Sequence, residues 1–170
     1  QWSSAFRLQY RQTIKESKEL ANRLADLAAA IRSRVNDILE SEPESGPWRR
    51  LFSAFQKVLI HDLKEDDFAD MYAQTISYGL LSAQLSRKGG GLIPENLVDM
   101  IPLSNPFLRE LMQTFIELSR QGKELDLDEA GINEVINLLE NSDTEEVKKD
   151  FNANDRNDDP VIHFYELFLK

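Results

Sequence analysis

The sequence predicts an all-α fold: an irregular bundle of about six to eight helices, led by one long N-terminal helix. Three observations carry the prediction. Apolar residues recur at three- and four-residue steps through long stretches without Pro or Gly, the period of one helix face. Pro, Gly and Asn cluster between those stretches, where helices stop and start. No segment alternates apolar and polar residues between turn signals, as a half-buried strand would. With 170 residues, 41% hydrophobic and 29% charged, the chain is long enough for one proper core, so residues 1–170 are expected to form a single helical domain.

From Ser4 to Leu39 there is no Pro or Gly, and Leu20, Leu24, Leu27, Ile31, Val35 and Ile38 mark one helix face. A continuous helix there would be a rod of about 54 Å at 1.5 Å per residue. The polar stretch Lys15 to Glu19 interrupts the stripe. Either two helices meet at that point, or the first half of a long helix over 1–40 projects from a bundle formed by 47–170. Phe6 and Tyr10, one turn apart, begin a second apolar patch that favours packing. Pro43, Gly46 and Pro47 make the following loop.

A second helix is expected from Pro47, burying Trp48, Leu51, Phe52, Phe55 and Leu59 with Arg49, Arg50 and Lys57 outside; His61 and Asp62 close it. Glu65, Asp66 and Asp67 then suit the first turn of a third helix, where carboxylates meet unpaired N–H groups and the positive end of the dipole. Its inward face is read as Phe68, Met71, Tyr72, Ile76, Gly79 and Ala83, and Gly89-Gly90-Gly91 ends it. Pro94 opens a short helix to Met100. Asn105 and Pro106 cap and start another, with Phe107, Leu108, Leu111, Phe115 and Leu118 as its stripe. Further helices are expected over 127–140, 143–151 and 160–169.

Net charge is −10, unevenly spread: residues 1–60 carry ten Lys/Arg against seven Asp/Glu, and residues 61–170 carry ten against twenty-three. A surface this acidic opposes simple polyanion binding. Any DNA-backbone contact is therefore expected from Arg7, Arg11, Arg32, Arg34, Arg49, Arg50 and Lys57. No run reaches the roughly 18 apolar residues of a bilayer span, and no leader pattern is present, which reads as a soluble intracellular protein. A first residue Gln1 rather than Met reads as a segment of a longer chain or a processed one. With no cysteine, a disulfide framework, a thiolate metal site and a cysteine nucleophile are excluded.

Each candidate site fails on a named position. Gly89-Gly90-Gly91 lacks a preceding strand, a G-x-G-x-x-G spacing and a following Gly-Lys-Ser/Thr, so it reads as a turn. Asp150, Asn152 and Asn154 fit calcium-loop positions one, three and five. Asp155 then stands where Gly is needed and Val161 where a bidentate Glu is needed, so those residues and Asp158 or Asp159 read as loop and cap chemistry. Asp126 or Asp128 ahead of Glu146-Val147-Lys148 mimics a nuclease pattern, but on helices rather than the adjacent strands that aim carboxylates at one Mg²⁺. His61 and His163 have no partner at catalytic or metal spacing. None of the seventeen Ser and Thr residues sits in a nucleophile elbow. Catalytic, cofactor-binding and metal residues are all expected to be none.

Three stretches resemble one family. Phe68-Ala69-Asp70-Met71-Tyr72-Ala73-Gln74-Thr75, continuing through Tyr78-Gly79-Leu80, resembles a signature of fused restriction-modification proteins of the N6-adenine DNA methylase group. Asn105-Pro106-Phe107-Leu108 resembles a shorter block downstream. Asp159-Pro160-Val161-Ile162-His163-Phe164-Tyr165-Glu166, with Phe168 and Leu169, resembles the helix just before their methyltransferase domain.

The resemblance covers roughly residues 20–170. It implies a non-catalytic helical connector between an upstream Mg²⁺-dependent nuclease and a downstream S-adenosylmethionine-dependent adenine-N6 DNA methyltransferase, in a bacterial or archaeal cytoplasm. Its partners would be those flanking domains, with DNA engaged by the larger protein. S-adenosylmethionine and Mg²⁺ would belong to the larger protein, since the chain stops at Lys170, before the Asn-Pro-Pro-Tyr/Phe motif. No family catalytic residue therefore maps onto a position here. The alternative from the residues alone is a free-standing acidic helical adaptor for a basic partner; a metal-dependent hydrolase built on the Asp/Glu clusters fits them least.

Overall fold

A computed structural model describes residues 13–58, 60–86, 109, 112–114, 117 and 131–154. Five helices are delimited among them: α1 (Ser17–Ser41), α2 (Pro47–Val58), α3 (Glu65–Ser86), α4 (Ile132–Glu140) and α5 (Thr144–Asn154). Residues 109, 112–114 and 117 are also helical, and Met112 is buried there. The described residues contain no strand, only an isolated parallel bridge between Ile14 and Ser142. The fold is all-α, as the periodicity predicts.

The long first helix starts later than its composition suggests. Residues 13–16 are not helical, so a rod from Ser4 to Leu39 does not form. Ile14 instead turns into the core at 2% exposure and bonds to the chain near Ser142. A tertiary contact stops the helix where no Pro or Gly does. Once started, α1 runs 25 residues and buries Leu20, Ala21, Leu24, Ala28, Ile31, Val35 and Leu39. Leu27 and Ile38 are only half-buried, so the buried face is turned toward the alanine side of the expected stripe.

Between α1 and α2, Gly46 sits at the N-terminus of α2 because Glu42 needs the space. A Cβ there would lie 2.1 Å from Glu42 Cγ and Cδ. The Glu42 carboxylate crosses this gap to accept the Arg49 backbone N–H at 2.9 Å. The cap thus comes from outside the helix, and Pro47 occupies the first helical position, where its missing N–H costs nothing.

Helix α2 buries Trp48, Leu51, Phe52 and Phe55, as its stripe predicts, and Leu59 lies outside the described residues. Their rings meet α3 edge to face: Trp48 with Tyr72 at a centroid separation of 5.1 Å, and Phe52 and Phe55 with Phe68 at 5.3 and 5.6 Å. Such geometry sets a positive ring edge against a negative face. Burial pushes the Tyr72 phenol well above its ordinary pKa, so it stays protonated in the folded protein.

Helix α3 is the centre of the bundle, packing on α1, α4 and α5. Its first half has one inward face, with Phe68, Ala69, Tyr72 and Ala73 buried and Met71 half-buried. Every residue from Thr75 to Leu85 is buried, so the single inward face expected there gives way to contact all round. Ser77 and Ser82 are 0% exposed, and their hydroxyls meet no hydrogen-bond partner among the described residues.

Helices α4 and α5 close one end. Gly131, in the left-handed region at φ 95°, begins α4, and a Cβ there would lie 2.6 Å from Arg34 Nη1. Ile132, Val135, Ile136 and Leu139 face inward. Gln84 Nε2 of α3 donates to Leu139 O at 3.3 Å and to Thr144 Oγ1 at 3.1 Å, tying both helices to the centre. Asp143 caps α5 by accepting the Glu146 N–H at 3.1 Å. The glycine run 89–91, the Pro94 and Asn105 helix starts, Arg7, Arg11 and the expected helix over 160–169 lie outside the described residues.

Candidate functional site

Alanines set a groove between α1 and α3. Ala25, Ala28 and Ala29 on α1 face Ala73 on α3, and with Arg32, Ser33, Asn36, Asp70 and Gln74 they line a space of about 430 Å³. Small side chains keep the floor apolar and shallow, so the polar residues form a rim.

The rim is organised around one guanidinium. Arg32 Nε donates to Asp66 Oδ1 at 3.1 Å and Nη2 donates to Oδ2 at 2.6 Å, a bidentate fork. Its Nη1 lies 3.7 Å from Asp70 Oδ1. Asn36 Nδ2 adds a bond to Asp66 Oδ1 at 2.9 Å, and Gln74 Nε2 donates to Asp70 Oδ2 at 2.7 Å. Asp66 stands in the first turn of α3, where the helix dipole also favours a carboxylate.

The hydrogen bond from Arg32 holds the Asp66 carboxyl below its usual pKa, with Asn36 adding to the effect. The same bond raises the Arg32 guanidinium, helped by the charges of Asp66, Asp70 and Asp67. Because the folded pKa of Asp66 is depressed, the pair stabilises fully above the unfolded carboxylate value, and that contribution fades as pH falls through the folded one. Arg32→Ala is expected to raise the Asp66 midpoint toward the ordinary carboxylate range, with the Asn36 bond keeping part of the depression, read by carboxyl-carbon NMR titration. An Asp66 midpoint unmoved by the substitution refutes the pairing. Both groups are ionised near neutrality, so this pair offers fixed charge over an apolar floor rather than a proton to give or take.

The residues weighed for chemistry fall elsewhere. Helix α5 runs through Asn154, which puts Asp150, Asn152 and Asn154 on helical backbone rather than in the loop a calcium site needs. The Asp150 carboxylate accepts two bonds from Ser17. Glu146 pairs with Lys149 at 2.6 Å and Glu145 with Lys148 at 3.6 Å, along a single helix. That bond to Glu146 raises the Lys149 pKa. His61, in the turn after α2, has Nδ1 3.0 Å from Gln56 O. No group of three His, Cys, Asp or Glu that could hold a metal occurs among the described residues. Asp126, Asp128, Asp155, Asp158, Asp159, His163 and the blocks at 105–108 and 159–169 lie outside them.

Three of the basic residues named for DNA contact have partners within the bundle. Arg32 is matched by Asp66, and Arg34 Nη2 donates to Glu134 Oε1 of α4 at 3.0 Å. Arg49, expected on the outer face of α2, turns inward, donating to Glu65 and to the Leu39 carbonyl. Its side chain is only 23% exposed. Carboxylates from the acidic part of the chain pair with these three guanidiniums within the bundle. Among the described residues, no helix is long and apolar enough to cross a membrane.

The sequence contains no motif for the groove itself. Alanine reads as a good helix former at every position, and only the pairing of α1 with α3 makes Ala25, Ala29 and Ala73 into one surface. Compared with family models, curated proteins and solved structures, the chain finds no match in any of the three.

Proposed function

We propose that this chain is a helical connector of a DNA restriction-modification enzyme, holding an upstream endonuclease and a downstream S-adenosylmethionine-dependent adenine-N6 methyltransferase at a set distance and orientation. The observation that carries the reading is the role of the block from Phe68 to Leu80, which resembles that family. It forms the middle of α3, where Phe68, Tyr72, Ala73, Ile76 and Leu80 are buried and Asp70 and Gln74 meet on the groove rim. A signature made of core positions and one interhelical polar contact suits a scaffold. On this reading Mg²⁺ and S-adenosylmethionine belong to the flanking domains of the larger protein.

The mechanism is mechanical. A bundle anchored on a central helix whose second half is wholly buried transmits orientation because packed interiors have little slack. Cleavage would then answer to what the recognition region of the larger protein binds. The test is the coding sequence downstream of Lys170. A methyltransferase motif set within about one domain length, on the usual scale of 100–200 residues, is the expected result; an early stop codon overturns the reading in favour of an acidic adaptor. Titration calorimetry of the chain with S-adenosylmethionine should show no binding heat, and saturable binding would refute a non-catalytic segment.

A further inference from the structure

Ser17, the first residue of α1, places both its backbone N–H and its hydroxyl on Asp150 Oδ2, each at 2.8 Å, although the two residues are 133 positions apart. The adjoining N-cap residue, Glu16, makes no side-chain cap bond. Helix N-termini present unpaired N–H groups that a nearby oxygen normally satisfies; α1 takes its oxygen from α5.

Three residues earlier, the Ile14 N–H donates to Asn141 O at 3.3 Å, and the Asp143 N–H donates to Ile14 O at 2.8 Å. Asp143 is itself the cap of α5. One set of bonds therefore holds the start of α1 and the start of α5.

Over residues 144–150, the part of α5 whose side chains are described, apolar burial is sparse. Val147, at 1% exposure, is its one buried apolar residue among the described side chains, and Thr144 adds the contact with Gln84. By contrast, α1 beyond Leu20 is anchored by Leu24, Ala28, Ile31, Val35 and Leu39. Segments with few buried apolar contacts open at low free energy while the core stays closed.

We propose that residues 13–17 and α5 form a clasp that opens as one unit while the core of α1, α3 and α4 remains folded. Loosening either side releases the other. On the connector reading, and only this consequence rests on it, a rearrangement upstream of residue 13 would reach the chain beyond α5 through the Ser17–Asp150 contact. The clasp itself belongs to this chain alone.

Amide hydrogen exchange on the full 170-residue chain tests it. Ile14, Ser17, Asp143 and the amides of α5 should exchange faster than those of Leu24–Leu39 and of α3, with a shared response to low denaturant. Asp150→Ala should speed exchange in both halves of the clasp by roughly tenfold and leave α3 unchanged, with Asp150→Asn, which keeps a capping oxygen, in between. Equal acceleration in α3, or acceleration in only one half of the clasp, overturns the proposal. A failed connector reading would leave this result intact.

Discussion

Replacing Phe68 with alanine is expected to cost about 3–5 kcal/mol of folding free energy, against a total of roughly 5–15 kcal/mol for a domain of ordinary stability. The side chain is fully buried and lies edge to face with both Phe52 and Phe55. Truncation removes the transfer free energy of the ring and leaves a cavity between α2 and α3, which relax only in part. Two aromatic contacts, each worth about 0.5–1.5 kcal/mol beyond area burial, go with it. Urea denaturation followed by circular dichroism at 222 nm reads the change as a shift of midpoint at unchanged slope. Ser53→Ala, on the exposed side of α2, should leave the midpoint in place. A Phe68→Ala cost below about 1 kcal/mol would place the ring outside the core.

The pattern that identifies Phe68 was readable because α2 and the first half of α3 are buried on one side only. Trp48, Leu51, Phe52 and Phe55 recur at helical spacing, and solvent on the other face keeps the contrast sharp. The signal fades at Thr75–Leu85, where burial is complete and serine stands beside leucine. A helix wrapped on all sides selects for size, which a polarity pattern does not record. The beginning of α1 was hidden for another reason. Nothing between Ser4 and Leu39 forbids a helix, and the stop lies in the bond of Ile14 to residues 141 and 143.

Charge was equally opaque. The basic excess of residues 1–60 is real in the sequence, yet Arg32 and Arg34 find carboxylates 34 and 100 positions away. A tally along the chain does not reveal such pairs. The groove on α1 and α3 was hidden likewise, because its alanines become a surface only when the two helices meet.

Arg49 is the member of that basic set whose loss should matter most, with Arg49→Ala expected to cost about 2–3 kcal/mol. Two acceptors share its guanidinium, and they differ in what they would lose. Glu65 is 41% exposed, so water and salt can replace much of the ion pair, and Glu65→Gln should cost below about 1 kcal/mol. The Leu39 carbonyl lies in the last turn of α1, where no following turn supplies an N–H, and the Leu39 side chain beside it is 0% exposed. Without Arg49 that carbonyl loses its donor in poorly hydrated surroundings, which is the larger penalty. Arg49→Lys should fall between, since an ammonium lacks the planar fork that reaches two acceptors. Denaturation at low and high salt separates the contributions: the Glu65→Gln effect should shrink in salt, while most of the Arg49→Ala effect persists. Equal costs for the two substitutions would assign the stabilisation to the ion pair instead. If the carbonyl dominates, using Arg49 for a phosphate contact would open the junction of α1 and α2, which removes it from any nucleic-acid surface of the folded bundle.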